Sequence, residues 1–196
     1  MSPSDLGFES TVRQAFGFLS SKFGFTCSKS TPTSVLYRSA SVEVEIILDL
    51  RSYEIDVEVK RIGRDRSFPL YRVIELTSPT EAQRWRLVQT STAARVKEFI
   101  PQLANLLQKY GGPTLLGDPK MFAELRSLEE SDAMRTTREF QIREARRLAQ
   151  HEWQSKNYAK LVSILSPIQE ELTDSEFARF VYAKKRLESG QNRGRP

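Results

Sequence analysis

The sequence predicts an α+β fold: an N-terminal helix plus an antiparallel β-meander covered by helices, followed by a C-terminal all-α hairpin region. Three observations lead there. A helical apolar stripe opens the chain, alternating strands follow it with short turns between them, and beyond Gly112 the composition turns almost wholly helix-forming. A 196-residue chain with 39% hydrophobic and 28% charged residues is long enough to bury a sizeable core without staples.

In SDLGFESTVRQAFGFLSSKFG, the apolar residues Leu6, Val12, Ala15, Phe16, Leu19 and Phe23 mark one helix, with Gly24 as its stop. FTCSKSTPTSVLYRSA supplies one or two short strands broken by Pro32. SVEVEIILDLRSYEIDVEVK then reads as two strands, Val42, Val44, Ile46 and Leu48 alternating in the first and Tyr53, Ile55, Val57 and Val59 in the second. From Ser67 the period changes, and SFPLYRVIEL reads as a short helix with Pro69 near its start. One or two further helices run to Gly111-Gly112, with Phe99, Leu103, Leu106, Leu107 and Tyr110 on a shared face expected to cover the sheet.

GGPTLLGDP is the expected boundary, because Gly and Pro punctuate it. It divides an α+β domain at 1–112 from a helical region at 113–190 with a disordered tail at 191–196. Within the helical region, TDSE places Thr173 and Glu176 at capping-box spacing.

The segment ARRLAQHEWQSKNYAKLVSIL resembles the helix, turn and helix of one tetratricopeptide-type repeat. Ala149 stands where two such helices cross, KNY matches the turn, and Leu161 and Leu165 face inward. The family's Gly before the turn and its small residue after the Tyr are Lys156 and Leu161 here. One unit implies a helical hairpin, not an array. The family binds peptides and proteins, so a helical adaptor or scaffold is one functional alternative.

The polar side of the central strands carries the most unusual pattern. With the turn at Leu50-Arg51, Leu48 opposes Tyr53, Ile46 opposes Ile55 and Val44 opposes Val57. The other face then sets Glu45 against Asp56 and Glu43 against Glu58. Like charges directly opposite on a sheet are unfavourable by roughly 0.2–1 kcal/mol a pair. Three readings follow: a solvated face, a docking surface for a basic protein, or a divalent-metal site.

The docking reading makes Glu43, Glu45, Asp56 and Glu58 the partner-binding residues. A compact α+β unit with an acidic sheet face is similar in type to small bacterial immunity-type inhibitors, which implies a basic toxin as partner. The expected function is non-enzymatic protein binding, with no catalytic residue, no metal and no cofactor.

The metal reading rests on Glu58-Val59-Lys60, whose Glu-x-Lys spacing resembles that of the restriction-endonuclease-like nucleases. The resemblance implies Glu43 and Glu58 as metal ligands and Lys60 as the residue that helps activate water. The family's first ligand is normally Asp, often after Pro, whereas Glu43 follows Ser41-Val42.

Several chemistries find no residues. One histidine, His151, and one cysteine, Cys27, do not build a tetrahedral zinc site, and Cys27 is expected as a buried thiol in a strand. No Walker-type or dinucleotide Gly loop occurs. No apolar run is long enough for a bilayer and MSPSDLGFES lacks the pattern of a secretion signal, so no membrane and a cytoplasmic location are expected.

The net charge of +5 and pI near 9.4 raise nucleic acid as a partner. Arg138, Arg143, Arg146, Arg147, Lys184, Lys185 and Arg186 are the residues for it. Glu139, Glu144, Glu152 and Glu188 intersperse them, so solvated helix faces with i,i+4 ion pairs are expected. Trp85 and Trp153 are expected as packing residues, not stacking platforms.

Overall fold

The computed structural model describes residues 6–64, 66–86 and 89–191. It divides into two compact units, one of residues up to Glu129 and one from Glu130 onward.

The first unit opens with α1 (Phe8–Ala15) and α2 (Gly17–Phe23), two helices where the apolar stripe predicts one. The break is at Phe16, whose backbone leaves helical values at φ −91°, ψ 9° immediately before Gly17. α2 stops where expected, at Gly24 with φ 70°, a conformation that favours a residue without Cβ.

Five antiparallel strands follow in sequential order: β1 (Thr26–Ser30), β2 (Ser34–Arg38), β3 (Val42–Leu48), β4 (Ile55–Arg61) and β5 (Ser67–Pro69). The first three residues of the expected helix at Ser67 therefore form an edge strand, and α3 (Leu70–Thr77) begins after it. Pro69 takes an extended backbone (φ −66°, ψ 151°) at the start of α3. Two short helices, α4 (Pro79–Ala82) and α6 (Gly112–Leu115), flank α5 (Ala93–Tyr110).

Val35, Tyr37, Val44, Ile46, Val57 and Val59 are all buried and share one core with Val12, Leu70, Ile74, Phe99, Leu103 and Leu107. The helices thus lie on one face of the sheet. α1 packs on β2 and α3 on β4 and β5, whereas α5 packs on α1 and α3. Phe99, Leu103 and Leu107 are buried as expected, while Leu106 and Tyr110 lie half-exposed at the margin.

The β3–β4 pairing departs from the expected register by two residues. Leu48 opposes Ile55, Ile46 opposes Val57 and Val44 opposes Val59. The turn is longer than two residues: the Asp49 amide donates to the Glu54 carbonyl at 2.9 Å and the Tyr53 amide to the Asp49 carbonyl at 2.7 Å. Tyr53, expected in the strand, sits in that turn with φ 58° and is exposed. Its carbonyl accepts from both the amide and the hydroxyl of buried Thr90, at 2.7 and 2.8 Å.

Cys27 is exposed, not buried. It lies on the edge strand β1, where the pairing with β2 is irregular between Cys27 and Lys29 and most side chains face solvent.

The 36-residue α7 (Pro119–Gln154) contains the division between the units. Leu115, Phe122 and Leu125 are buried in the first core, with the Phe122 ring 6.0 Å from Phe68. That packing carries the first unit beyond the 112/113 boundary read from composition. The second unit adds α8 (Tyr158–Leu165), a 3₁₀ turn at Ser166–Glu171 and α9 (Asp174–Gln191). Its own core joins Ala149, Leu161, Leu165, Ile168, Phe180 and Ala183.

The turn into α8 puts Lys156 at φ 55°, and Asn157 caps the helix by accepting from the Lys160 amide. The capping box is present: the Thr173 amide donates to Glu176 at 2.8 Å, and the Glu176 amide donates back to the Thr173 hydroxyl. Of the expected disordered tail at 191–196, Gln191 is the last residue of α9 and residues 192–196 lie outside the described residues. No helix among the described residues is long and apolar enough to cross a membrane.

Candidate partner-binding face

Because side chains alternate along a strand, the residues between the core positions share the opposite face of the sheet. The pairing arranges them in three cross-strand rows. Ser34, Ile47 and Asp56 form one, Lys29, Leu36, Glu45, Glu58 and Pro69 the second, and Thr26, Arg38, Glu43, Lys60 and Ser67 the third. Leu36 and Ile47 are half-buried and belong to neither hydrophobic core.

All four sequence-predicted carboxylates lie on this face, but not in the predicted pairs. Glu43 opposes Lys60 instead of Glu58, and Asp56 opposes Ile47 instead of Glu45. Only Glu45 and Glu58 stand directly opposite as like charges. The two-residue shift is the cause. It keeps every carboxylate on its face while changing what each one meets.

Glu43 is the most neutralised. Arg38 Nε donates to it at 2.9 Å, and Lys60 lies across the strand on its other side. Glu45 accepts from the Ser34 hydroxyl and Glu58 from the Ser67 hydroxyl, each at 2.6 Å. Neither makes an ion pair among the described residues. Among the described residues Asp56 accepts from the neighbouring Val57 amide alone, at 2.7 Å.

Desolvation pushes the Asp56 carboxyl above its usual range. The Val57 hydrogen bond opposes that shift, and the nearby Glu58 and Glu54 charges add to it.

The face is therefore polarised. Arg38 and Lys60 balance Glu43 at one end, while Glu45, Glu58 and Asp56 lie around Leu36, Ile47 and Pro69 without an ion pair among the described residues, with Lys29 beyond Leu36 at the β1 edge. Sequence reading missed Arg38, the two serines and the apolar residues. Leu36 and Ile47 did carry a signal, since each is an apolar residue in the polar phase of an alternating strand.

The trio implied by the nuclease resemblance does not fit a divalent cation. Glu43 is held by Arg38, and Glu58 is diagonal to it with Glu45 directly across. Among the described residues no group of three or more His, Cys, Asp or Glu side chains is placed to hold a metal ion.

Of the basic helix residues, Arg138 and Arg146 pair through the tertiary fold, Arg147 pairs along the helix, and Arg143, Lys184, Lys185 and Arg186 make no ion pair among the described residues. Arg138 donates to Glu171 and to the Pro167 carbonyl at 2.7–2.9 Å, and Arg146 meets Glu176 at 3.0 Å. Arg147 and Glu144 pair within α7 at i,i+3 spacing. Trp85 and Trp153 pack at the margins of the two cores.

Comparison with protein-family models, with curated proteins and with solved structures finds no match for the chain.

Proposed function

We propose that this is a non-enzymatic protein-binding module whose sheet face takes a basic partner, as a cytoplasmic inhibitor of immunity type takes a toxin. The observation that carries the reading is the state of Glu45, Asp56 and Glu58. They are half-buried carboxylates without a cationic partner among the described residues, set among Leu36, Ile47 and Pro69. A surface that only needed solubility gains nothing from opposed carboxylates beside apolar side chains. A Lys or Arg from a partner turns that repulsion into complementarity, and its aliphatic stem covers the apolar residues.

Glu43 contributes least, because Arg38 already neutralises it. The test compares wild type with a Glu45→Gln, Asp56→Asn, Glu58→Gln triple variant in capture from the host lysate. The captured partner is then titrated as a purified protein. The expected result is a basic partner whose affinity falls at least tenfold in the triple variant and changes little in Glu43→Gln. Equal affinity for wild type and triple variant sinks the reading.

A further inference from the structure

In the second unit, three aromatic rings meet where α7 turns into α8 and α9 passes by. Trp153, Tyr158 and Tyr182 are mutually edge-on, with centroids 5.7–6.1 Å apart. Trp153 and Tyr158 are half-buried against the core, but Tyr182 is 41% exposed.

Two guanidinium groups lie against these rings. The Arg179 guanidinium lies 5.5 Å from the Trp153 centroid and the Arg186 guanidinium 5.3 Å from that of Tyr182. Arg186 Nε also donates to the Tyr182 hydroxyl at 2.8 Å. That bond is the largest influence holding the Tyr182 phenol below its ordinary range; burial pushes back next, and the Arg186 charge, a hydrogen bond with Tyr158 and the Lys156 charge add to the lowering.

Five other cations of this unit have acidic partners, Arg135 with Asp132, Arg138 with Glu171, Arg146 with Glu176, Arg147 with Glu144 and Lys160 with Glu152, whereas Arg143, Lys184 and Lys185 have none among the described residues and lie against none of these three rings. Lys156, Arg179 and Arg186 have none among the described residues. Arg179 spends one donor on the Gln150 amide oxygen, and Lys156 and Arg186 project into solvent.

We infer that this ring-and-cation face binds single-stranded nucleic acid, with a base stacked against Tyr182 and Arg186 and phosphates held by Lys156, Arg179 and Arg186. Charge complementarity selects an anion. An exposed ring beside a planar guanidinium selects an anion whose charges alternate with flat π-systems, which a nucleotide strand supplies and a carboxylate side chain does not. A paired duplex keeps its bases stacked inside and offers only phosphates. The residues of this face belong to the second unit, and the acidic sheet residues to the first.

The test is fluorescence anisotropy of the full chain with a labelled mixed-sequence single strand of about 12 nucleotides. The expected result is binding at low salt that weakens with a log–log slope near −2, about −0.7 for each of three phosphates. Lys156→Gln and Arg186→Gln should each lower the slope by about 0.7. Tyr182→Leu should lower affinity roughly fivefold or more, while Tyr182→Phe, which keeps the ring, binds nearly as wild type.

Lys156 is exposed and outside both cores, so its variant folds even where Tyr182→Leu does not. The inference is overturned by no binding at low salt, or by an unchanged slope in Lys156→Gln and Arg186→Gln. It is equally overturned if polyglutamate or a duplex competes as well as the single strand. The Glu45, Asp56, Glu58 triple variant should bind the strand at least as well as wild type, and a loss there moves the site off this face.

Discussion

Glu45 and Glu58 stand directly opposite each other across β3 and β4, each with a serine hydroxyl at 2.6 Å and no ion pair among the described residues. An opposed carboxylate pair is disfavoured by roughly 0.2–1 kcal/mol. Glu58→Gln keeps the Ser67 hydrogen bond and removes the repulsion. The variant should be more stable by about that amount in urea unfolding at low ionic strength, with the gain shrinking as salt screens it. A variant less stable than wild type would show that the pair is not repulsive.

Asp56 predicts a pH dependence. Its folded-state carboxyl is raised above the ordinary Asp value of 3.8, so between that value and its folded value the folded protein holds the proton more than the unfolded chain does. Stability therefore falls as pH rises through this window, and the ionised group is a net cost at neutral pH. Asp56→Asn retains an acceptor for the Val57 amide and should stabilise the protein at pH 7. The advantage should disappear below about pH 3.8, and an advantage independent of pH would remove desolvation as its cause.

Thr90 anchors the β3–β4 turn from far along the chain, since both its amide and its hydroxyl donate to the Tyr53 carbonyl. Thr90→Val deletes the hydroxyl bond at nearly constant volume and should cost about 1 kcal/mol. Hydrogen exchange at the Tyr53 and Asp49 amides should speed up, because these close the same turn. Unchanged exchange there would mean that the turn holds itself.

Gly117 lies at φ 77°, just before α7, and a Cβ there would collide with the Ser41 hydroxyl and press on Val42. Gly117→Ala should therefore lose about 1–3 kcal/mol in thermal or urea unfolding. A neutral substitution would show that the approach to β3 relaxes easily.

The alternation in VEVEIIL and IDVEVKR put the valines and isoleucines on one face and the four carboxylates on the other. Thr173 and Glu176 marked the start of α9 and Gly24 the end of α2. These are local matters of period and capping, legible because each rests on residues within a few positions of one another.

What met what was not legible. A period of two is unchanged by a slip of two, so the pattern fits either register equally well. The choice was made by a turn that takes up Tyr53 and is tied to Thr90, 37 residues away. That register sets Lys60 across from Glu43 and Glu45 across from Glu58, and so decides which acids are neutralised. The first core likewise claimed Phe122 and Leu125, because burial against Phe68 outweighs the composition break at Gly112. The sequence by itself determined the faces and the helix ends, whose causes are local. Tertiary contact determined the register, the charge pairing and the extent of each core, whose causes are distant in the chain.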